Sequence, residues 1–272
     1  MICSLPRLLA LWFGCFFLVG QALGEDLTIS GSGNPEYVFG EMAKALNARQ
    51  SQHRIIVPPS IGMAGAIRDV SEGVTSLGRT GRPLNEAEKA KGLIYLPVGR
   101  DAVVAAAGAA VTVKGISTAQ LVGLFEGKLS DWKELGGKPG PVRAIGKEAT
   151  DTVRIQLSKH IRDINFGENV KIVHRDPLLL ELLDRYPTSF AIINRSALGA
   201  CKTRVVVLAL DGVDPMPINV ENGSYPLTME FGLVHKRNGL TAAGKAFLEF
   251  IDSADGVAIL RRHGVLPLRL KN

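Results

Sequence analysis

The sequence predicts an α/β protein with a largely parallel sheet, placed behind a secretory leader. Two observations carry the fold class. Short runs rich in Val, Ile and Leu alternate with segments of helical hydrophobic spacing along nearly the whole chain. Three of those runs end in small polar turns that open the next helix, at residues 30–34, 60–65 and 146–152. Composition agrees: 272 residues with 46% hydrophobic and 21% charged positions are too apolar and too weakly charged for a disordered chain. The length suits one large domain or two medium ones.

The leader is read first. Arg7 gives a basic start, residues 8–19 form an apolar run, and Ala22-Leu23-Gly24 supplies a small-x-small cleavage site. The run is shorter than the about 20 residues of a membrane span, and an uncleaved anchor stands as the alternative. Cys15 lies inside the run and is followed by Phe16-Phe17-Leu18, unlike a lipidation cysteine. Cleavage near Gly24 removes Cys3, Cys15 and Arg7, so the net charge of +6 becomes +5. The expected product is periplasmic or secreted, without an internal disulfide, and its remaining Cys201 packs as a structural thiol.

Leu27-Thr-Ile-Ser30 then reads as a strand, and Asn34-Pro35 as the cap and first position of a helix to about residue 48. A second strand at 54–57 ends at Pro58-Pro59, and a helix over 66–72 closes on Gly73. A third strand at 75–78 runs into a loop holding Arg79, Thr80 and Arg82. A helix over 86–91 and strands at 93–98 and 101–107 follow, and a new unit begins at the second of these strands. Ser117 with Gln120 forms a capping box for a helix through Phe125. Alternation continues with strands at 142–145, 170–173, 190–193, 205–210 and 229–235. Helices are expected from 152, over 177–186, and over 242–251 and 254–262. No internal repeat, low-complexity tract or flexible linker divides the chain.

The motifs of catalysis and metal binding are missing. There is no HExxH, CxxC or GxSxG, and the five histidines are scattered without ligand spacing. The reading is therefore a non-enzyme without metal or cofactor; a hydrolase of phosphate esters is the enzyme alternative, with no motif behind it. The excess of 32 Lys and Arg over 26 Asp and Glu suits nucleic acid, an anionic membrane or a small anion. The basic residues form no patch interleaved with aromatics, which disfavours nucleic acid. The three strand-to-helix turns are the positive signal. Free amides at a helix start, with the positive end of the helix dipole, make an anion site; each turn could equally be a plain connection. Arg79, Arg82 and Lys147 stand beside two of them. Arg79 could also be a solvated surface charge, and Asp151 a plain helix cap.

The order Gly31-Ser-Gly33, Ser60-Ile-Gly62, Ser76-Leu-Gly78 with Arg82-Pro-Leu84, then Gly127-Lys-Leu-Ser-Asp-Trp132, resembles the phosphate-binding proteins of bacterial ABC importers. The likeness extends to Gly223-Ser-Tyr-Pro226 and to the ending from Phe247 through Gly264-Val-Leu-Pro267. The resemblance implies a type II periplasmic-binding-protein fold: two α/β lobes joined by a two-strand hinge, closing on an oxyanion. Lobe one would be residues 25–98 plus 227–272 and lobe two 99–226. The implied protein is a monomer that captures a phosphate-like inorganic anion for a membrane transporter. The implied ligand residues are Ser30, Ser32, Gly33, Asn34, Ser60, Gly62, Arg79, Thr80 and Arg82 from lobe one, with Lys147, Thr150, Asp151 and Thr152 from lobe two. The chain departs from the family pattern at Asn34-Pro35, where a hydroxyl is usual, and at Met63, where a serine is usual. Gly81 stands for the family's aspartate, and Lys147 replaces its bidentate arginine. An exported interaction or signalling module that keeps the fold without the ligand is the alternative these departures leave open.

Overall fold

The computed structural model describes residues 24–49, 52–162 and 164–268. The expected leader therefore lies outside the described residues apart from Gly24, as do positions 269–272.

The chain opens with β1 (Glu25–Thr28) and β2 (Ser30–Gly31), then α1 (Glu36–Arg49), which buries Val38, Phe39, Met42, Ala43 and Leu46 on one face. β3 (His53–Ile56) pairs in parallel with β1 as a separate two-stranded sheet. α2 (Gly62–Glu72) begins four residues earlier than its spacing predicts, because Ser60 Oγ accepts from Gly62 N at 3.2 Å and tightens the turn. It ends on a left-handed Gly73. β4 (Gly78–Thr80) lies further along than the expected strand, so Arg79 and Thr80 are strand residues, not loop residues. α3 (Glu86–Lys89) carries a capping box of Asn85 and Glu88.

β5 (Leu93–Ala107) runs unbroken for 15 residues where the sequence suggests two strands. β6 (Gly115–Ile116) precedes α4 (Thr118–Glu126), whose Ser117–Gln120 box forms as expected. β7 (Arg143–Lys147) carries Lys147 at its end and leads to α5 (Thr152–His160). The succession continues through β8 (Lys171–Val173), α6 (Asp176–Arg185), β9 (Ser189–Asn194), β10 (Val206–Leu210) and α7 (Pro217–Glu221). β11 (Thr228–Lys236), α8 (Ala242–Asp252), α9 (Ala254–Arg262) and β12 (Leu266–Pro267) complete it.

Strand pairing is mixed rather than largely parallel. β2–β4, β7–β8 and β7–β9 are parallel, while β5 pairs antiparallel with β9, β10, β11 and β12, and β4 antiparallel with β11. Strand–helix alternation dictates parallel neighbours only within each crossover unit; β5 and β11 are long returns that pass through both halves. Their register shifts between Phe231 and Gly232, opposite Pro97. A proline lacks the N–H that a regular ladder requires, and a bulge absorbs the loss. Close approach is also built in at β2. Gly31 has φ 140°, and a Cβ there would meet Arg79 O at 2.1 Å.

Two cores flank these shared strands. Phe125, Trp132 and Phe190 centre a cluster drawn from positions 102–229. Phe39, Phe231 and Phe247 centre another, drawn from 27–98 and 231–265. The molecule is thus two α/β lobes joined through β5 and β11.

Candidate functional site

A cavity of about 1160 Å³ opens between the lobes. Its lining brings together the ends of β2, β3, β7 and β8 and the starts of α1, α2, α5 and α6. Ligands in open α/β sheets bind at this kind of position, outside the carboxyl ends of strands.

Ten of the thirteen residues expected at the site line this cavity: Ser32, Gly33, Asn34, Ser60, Gly62, Arg82, Lys147, Thr150, Asp151 and Thr152. The other three are turned elsewhere. Ser30 Oγ donates to Asp69 Oδ2 at 3.0 Å, and Thr80 Oγ1 to Gly232 O at 3.4 Å. Arg79 is fully buried, neither a surface charge nor part of the cavity wall. Its Nε donates to Ser32 O at 2.7 Å and its Nη2 to Pro58 O at 2.8 Å; Nη1 donates to Ile29 O. Strand pairing of β4 on both sides explains all of this, since it carries Arg79 under the cavity floor.

The floor is made by Ser32 and Asn34, both buried. Ser32 Oγ accepts from Gly81 N at 3.1 Å. A Cβ on Gly81 would lie 3.2 Å from Asn34 Oδ1 and 3.4 Å from Thr152 Oγ1, so loop and helix start from the two lobes meet there. Asn194 Nδ2 donates to Asn34 O at 2.9 Å from the other side. Asn34 Nδ2 is shielded from solvent and has no acceptor among the described residues. A buried donor in that state is costly unless a ligand supplies the acceptor.

Two cations of the cavity, Arg82 and Lys147, are already engaged. Arg82 makes two bonds of 2.9 Å to the two oxygens of Glu88. Lys147 is almost wholly buried; its Nζ lies 2.8 Å from Asp176 Oδ1 and 3.3 Å from Asp151 Oδ2. Burial pushes the Lys147 ammonium down, but the Asp176 and Asp151 carboxylates together outweigh it and hold its pKa above the ordinary lysine value. One ammonium shared by two carboxylates satisfies neither fully. Burial and the neighbouring Asp176 therefore keep Asp151 above the ordinary aspartate range despite Lys147. Asp151 also caps α5, accepting from Val153 N at 2.9 Å, so the helix-cap alternative is formed by a side chain that lines the cavity as well. Glu36 likewise sits above the usual glutamate range through burial, with Arg79 opposing the shift.

Sequence reasoning missed Glu36, Ile155 and Asp176 in the cavity wall and named Met63 only as a departure from the family pattern. Asp176 had a usable signal: β8, a polar turn and Pro177 at the start of α6 repeat the strand-to-helix device a fourth time.

A family model described as a PBP superfamily domain matches residues 20–255. The chain belongs to the PBP superfamily. Among curated relatives, this superfamily member is 27% identical to the phosphate-binding protein PstS of Bacillus subtilis over 258 residues, covering 91% of this chain and 84% of PstS. A Clostridium perfringens protein, described as a phosphate ABC transporter substrate-binding protein with bound phosphate, superposes with a TM-score of 0.75 at 26% identity. That match covers 89% of this chain and 99% of the other. An ABC-type phosphate transport receptor from Vibrio cholerae, at 20% identity, shares the fold with a TM-score of 0.62, over 89% of this chain and 99% of its own. The resemblance read from the glycine turns and the Gly-Lys-x-x-x-Trp segment is thus upheld across most of the chain, and with it the type II binding-protein fold.

Proposed function

We propose that this protein is an exported solute-binding protein that captures phosphate or a phosphate-like oxyanion between its lobes and delivers it to an ABC-type importer. One observation carries the reading. Helix starts from both lobes converge on a single cavity whose floor holds a buried, unpartnered amide donor, Asn34 Nδ2. Binding by neutral donors and helix-start amides, with Lys147 as the buried cation, needs no chemical step. The names of the Bacillus and Clostridium relatives support phosphate as the anion. The basic start, apolar run and cleavage site support export to the periplasm or exterior. Lobe one comprises 25–98 and 227–272, and lobe two 99–226; the division of the two cores supports these bounds to within a few residues, since Leu227 and Met229 pack in the core of lobe two. The protein acts as a monomer and is not an enzyme.

Titration calorimetry with phosphate, sulfate and related oxyanions tests the reading. Binding heat and a raised Tm are expected with at least one of them. Silence in both measurements with every anion overturns it.

A second reading has its own support, because the carboxylates of Glu88, Asp151 and Asp176 already hold two of the cavity's cations, Arg82 and Lys147. A signalling module with the same fold and no ligand would show that arrangement. Solution scattering that reports an open lobe pair unchanged by any added solute favours it over transport.

A further inference from the structure

The cavity wall is mixed. Its floor carries Ser32, Asn34 and Thr152, and the rest of its lining sets apolar side chains, Met63, Leu84 and Ile155, among charged ones such as Arg82, Lys159 and Arg175. α5 presents Thr152, Ile155, Gln156 and Lys159 to the cavity, one helical face at steps of three and four. Ile155 in the middle of that face is 39% exposed. From the other lobe come Met63, in the first turn of α2, and Leu84, which pack on the same small apolar cluster as Ile67 and Val70. A bare oxyanion is held by hydrogen-bond donors and gains nothing from these apolar side chains. Apolar surface in a binding cavity contributes to affinity only when the ligand carries apolar surface to cover it.

We propose that the cavity takes a tetrahedral oxyanion bearing a short apolar substituent, of the alkyl- or arylphosphonate and phosphate-monoester class. The oxyanion lies at Ser32, Asn34 and Thr152, with Asn34 Nδ2 donating to it, and the substituent lies against Ile155 and Met63. This rests on the anion-binding reading and narrows its ligand. The volume of about 1160 Å³ leaves room for such a group beyond the floor.

Calorimetry on the purified protein with inorganic phosphate, methylphosphonate, propylphosphonate and phenylphosphonate decides the matter. Affinity is expected to rise along the series. Two added methylenes between methyl and propyl correspond to a gain of about tenfold when buried. Ile155→Gln should bring the propyl-to-methyl ratio back towards one, whereas Asn34→Ala should weaken every anion together. If phosphate binds and the phosphonates bind no tighter as the substituent grows, the proposal is overturned while the anion reading stands. If none of the four binds, the anion reading fails first and takes the proposal with it.

Discussion

Arg79 and Glu36 form an ion pair beneath the cavity floor, with Nη2 of the one 3.1 Å from Oε2 of the other. Arg79 has no solvent exposure, and Glu36 stands at the first turn of α1 with its carboxylate half-open to the cavity. The same guanidinium reaches the carbonyls of Ile29, Ser32 and Pro58. One side chain on β4 therefore fixes the loops after β2 and β3 and the start of α1. The fork shape of arginine is what allows four acceptors to share one cation.

Truncating Arg79 should be severe. Arg79→Leu leaves three buried carbonyls without a donor and Glu36 without its cation. Each orphaned carbonyl costs about 1 kcal/mol or more, giving about 3 kcal/mol in total. Arg79→Lys keeps the charge but cannot reproduce the fork, and should fall between the two. Urea unfolding midpoints measure the effect; a Leu variant as stable as the native protein would remove Arg79 from its place as organiser of the floor.

Lys147 offers a test with a pH signature. Lys147→Met leaves Asp151 and Asp176 facing the cavity with no cation, at a cost of about 3 kcal/mol near neutral pH. Asp151 already sits above its ordinary value of 3.8 through burial and the nearby Asp176. A carboxyl whose folded pKa is raised contributes most below its unfolded value and loses that contribution as pH rises through the folded one. The deficit of the variant should therefore shrink as pH falls through the raised Asp151 value towards 3.8. Tm recorded across pH for both proteins checks this, and a deficit constant with pH contradicts it.

Asp101 predicts a separate pH effect in the strand shared by the lobes. It is 1% exposed on β5, and Ser196 N at 3.1 Å and Asn194 Nδ2 at 3.2 Å donate to its Oδ2. Burial pushes its carboxyl from 3.8 up to about 6, against the pull of those bonds. A displacement of that size corresponds to roughly 3 kcal/mol. The raised pKa means stability is greatest below 3.8 and falls as pH climbs through about 6. Asp101→Asn carries no charge at any pH and should gain on the native protein between pH 4 and pH 7. Denaturant unfolding at those two pH values measures it; parallel profiles would contradict it.

What was legible in the sequence was whatever one segment decides. The Ser117–Gln120 box and the glycine stop at Gly73 depend on a few adjacent residues, and they formed as read. Ser32, Asn34, Lys147, Asp151 and Thr152 reach the cavity because a strand-to-helix turn is also a local device. Arg79 was readable as a cation near the site but not as a buried one. Its burial comes from the pairing of β4 with β2 and β11, the latter some 150 residues away in register with it through Leu233. β5 reads as two strands because Pro97 and Gly99 look like a break, and a bulge at Val98, which has no partner between Phe231 and Gly232 of β11, lets one strand pass through them. Asp176 pairs with Lys147 across 29 residues, and neither segment names the other.

Gly81 tests whether the floor is set to the ångström. Its hydrogen side faces Asn34, Thr152 and Ser32, and a methyl there would press on Asn34 Oδ1 at 3.2 Å and Thr152 Oγ1 at 3.4 Å. Neither neighbour is backbone, so the fold can give by a small rotation of two side chains. The rotation moves the very groups expected to hold the anion, Asn34 from lobe one and Thr152 from lobe two. Gly81→Ala should therefore leave the unfolding midpoint close to native, within about 1 kcal/mol as for a tight but yielding contact. Anion affinity should fall by about tenfold, the equivalent of one hydrogen bond lost or bent. Calorimetric titration beside urea unfolding separates the two effects. An Ala variant that binds as the native protein does would place the anion away from the junction of Gly81, Asn34 and Thr152.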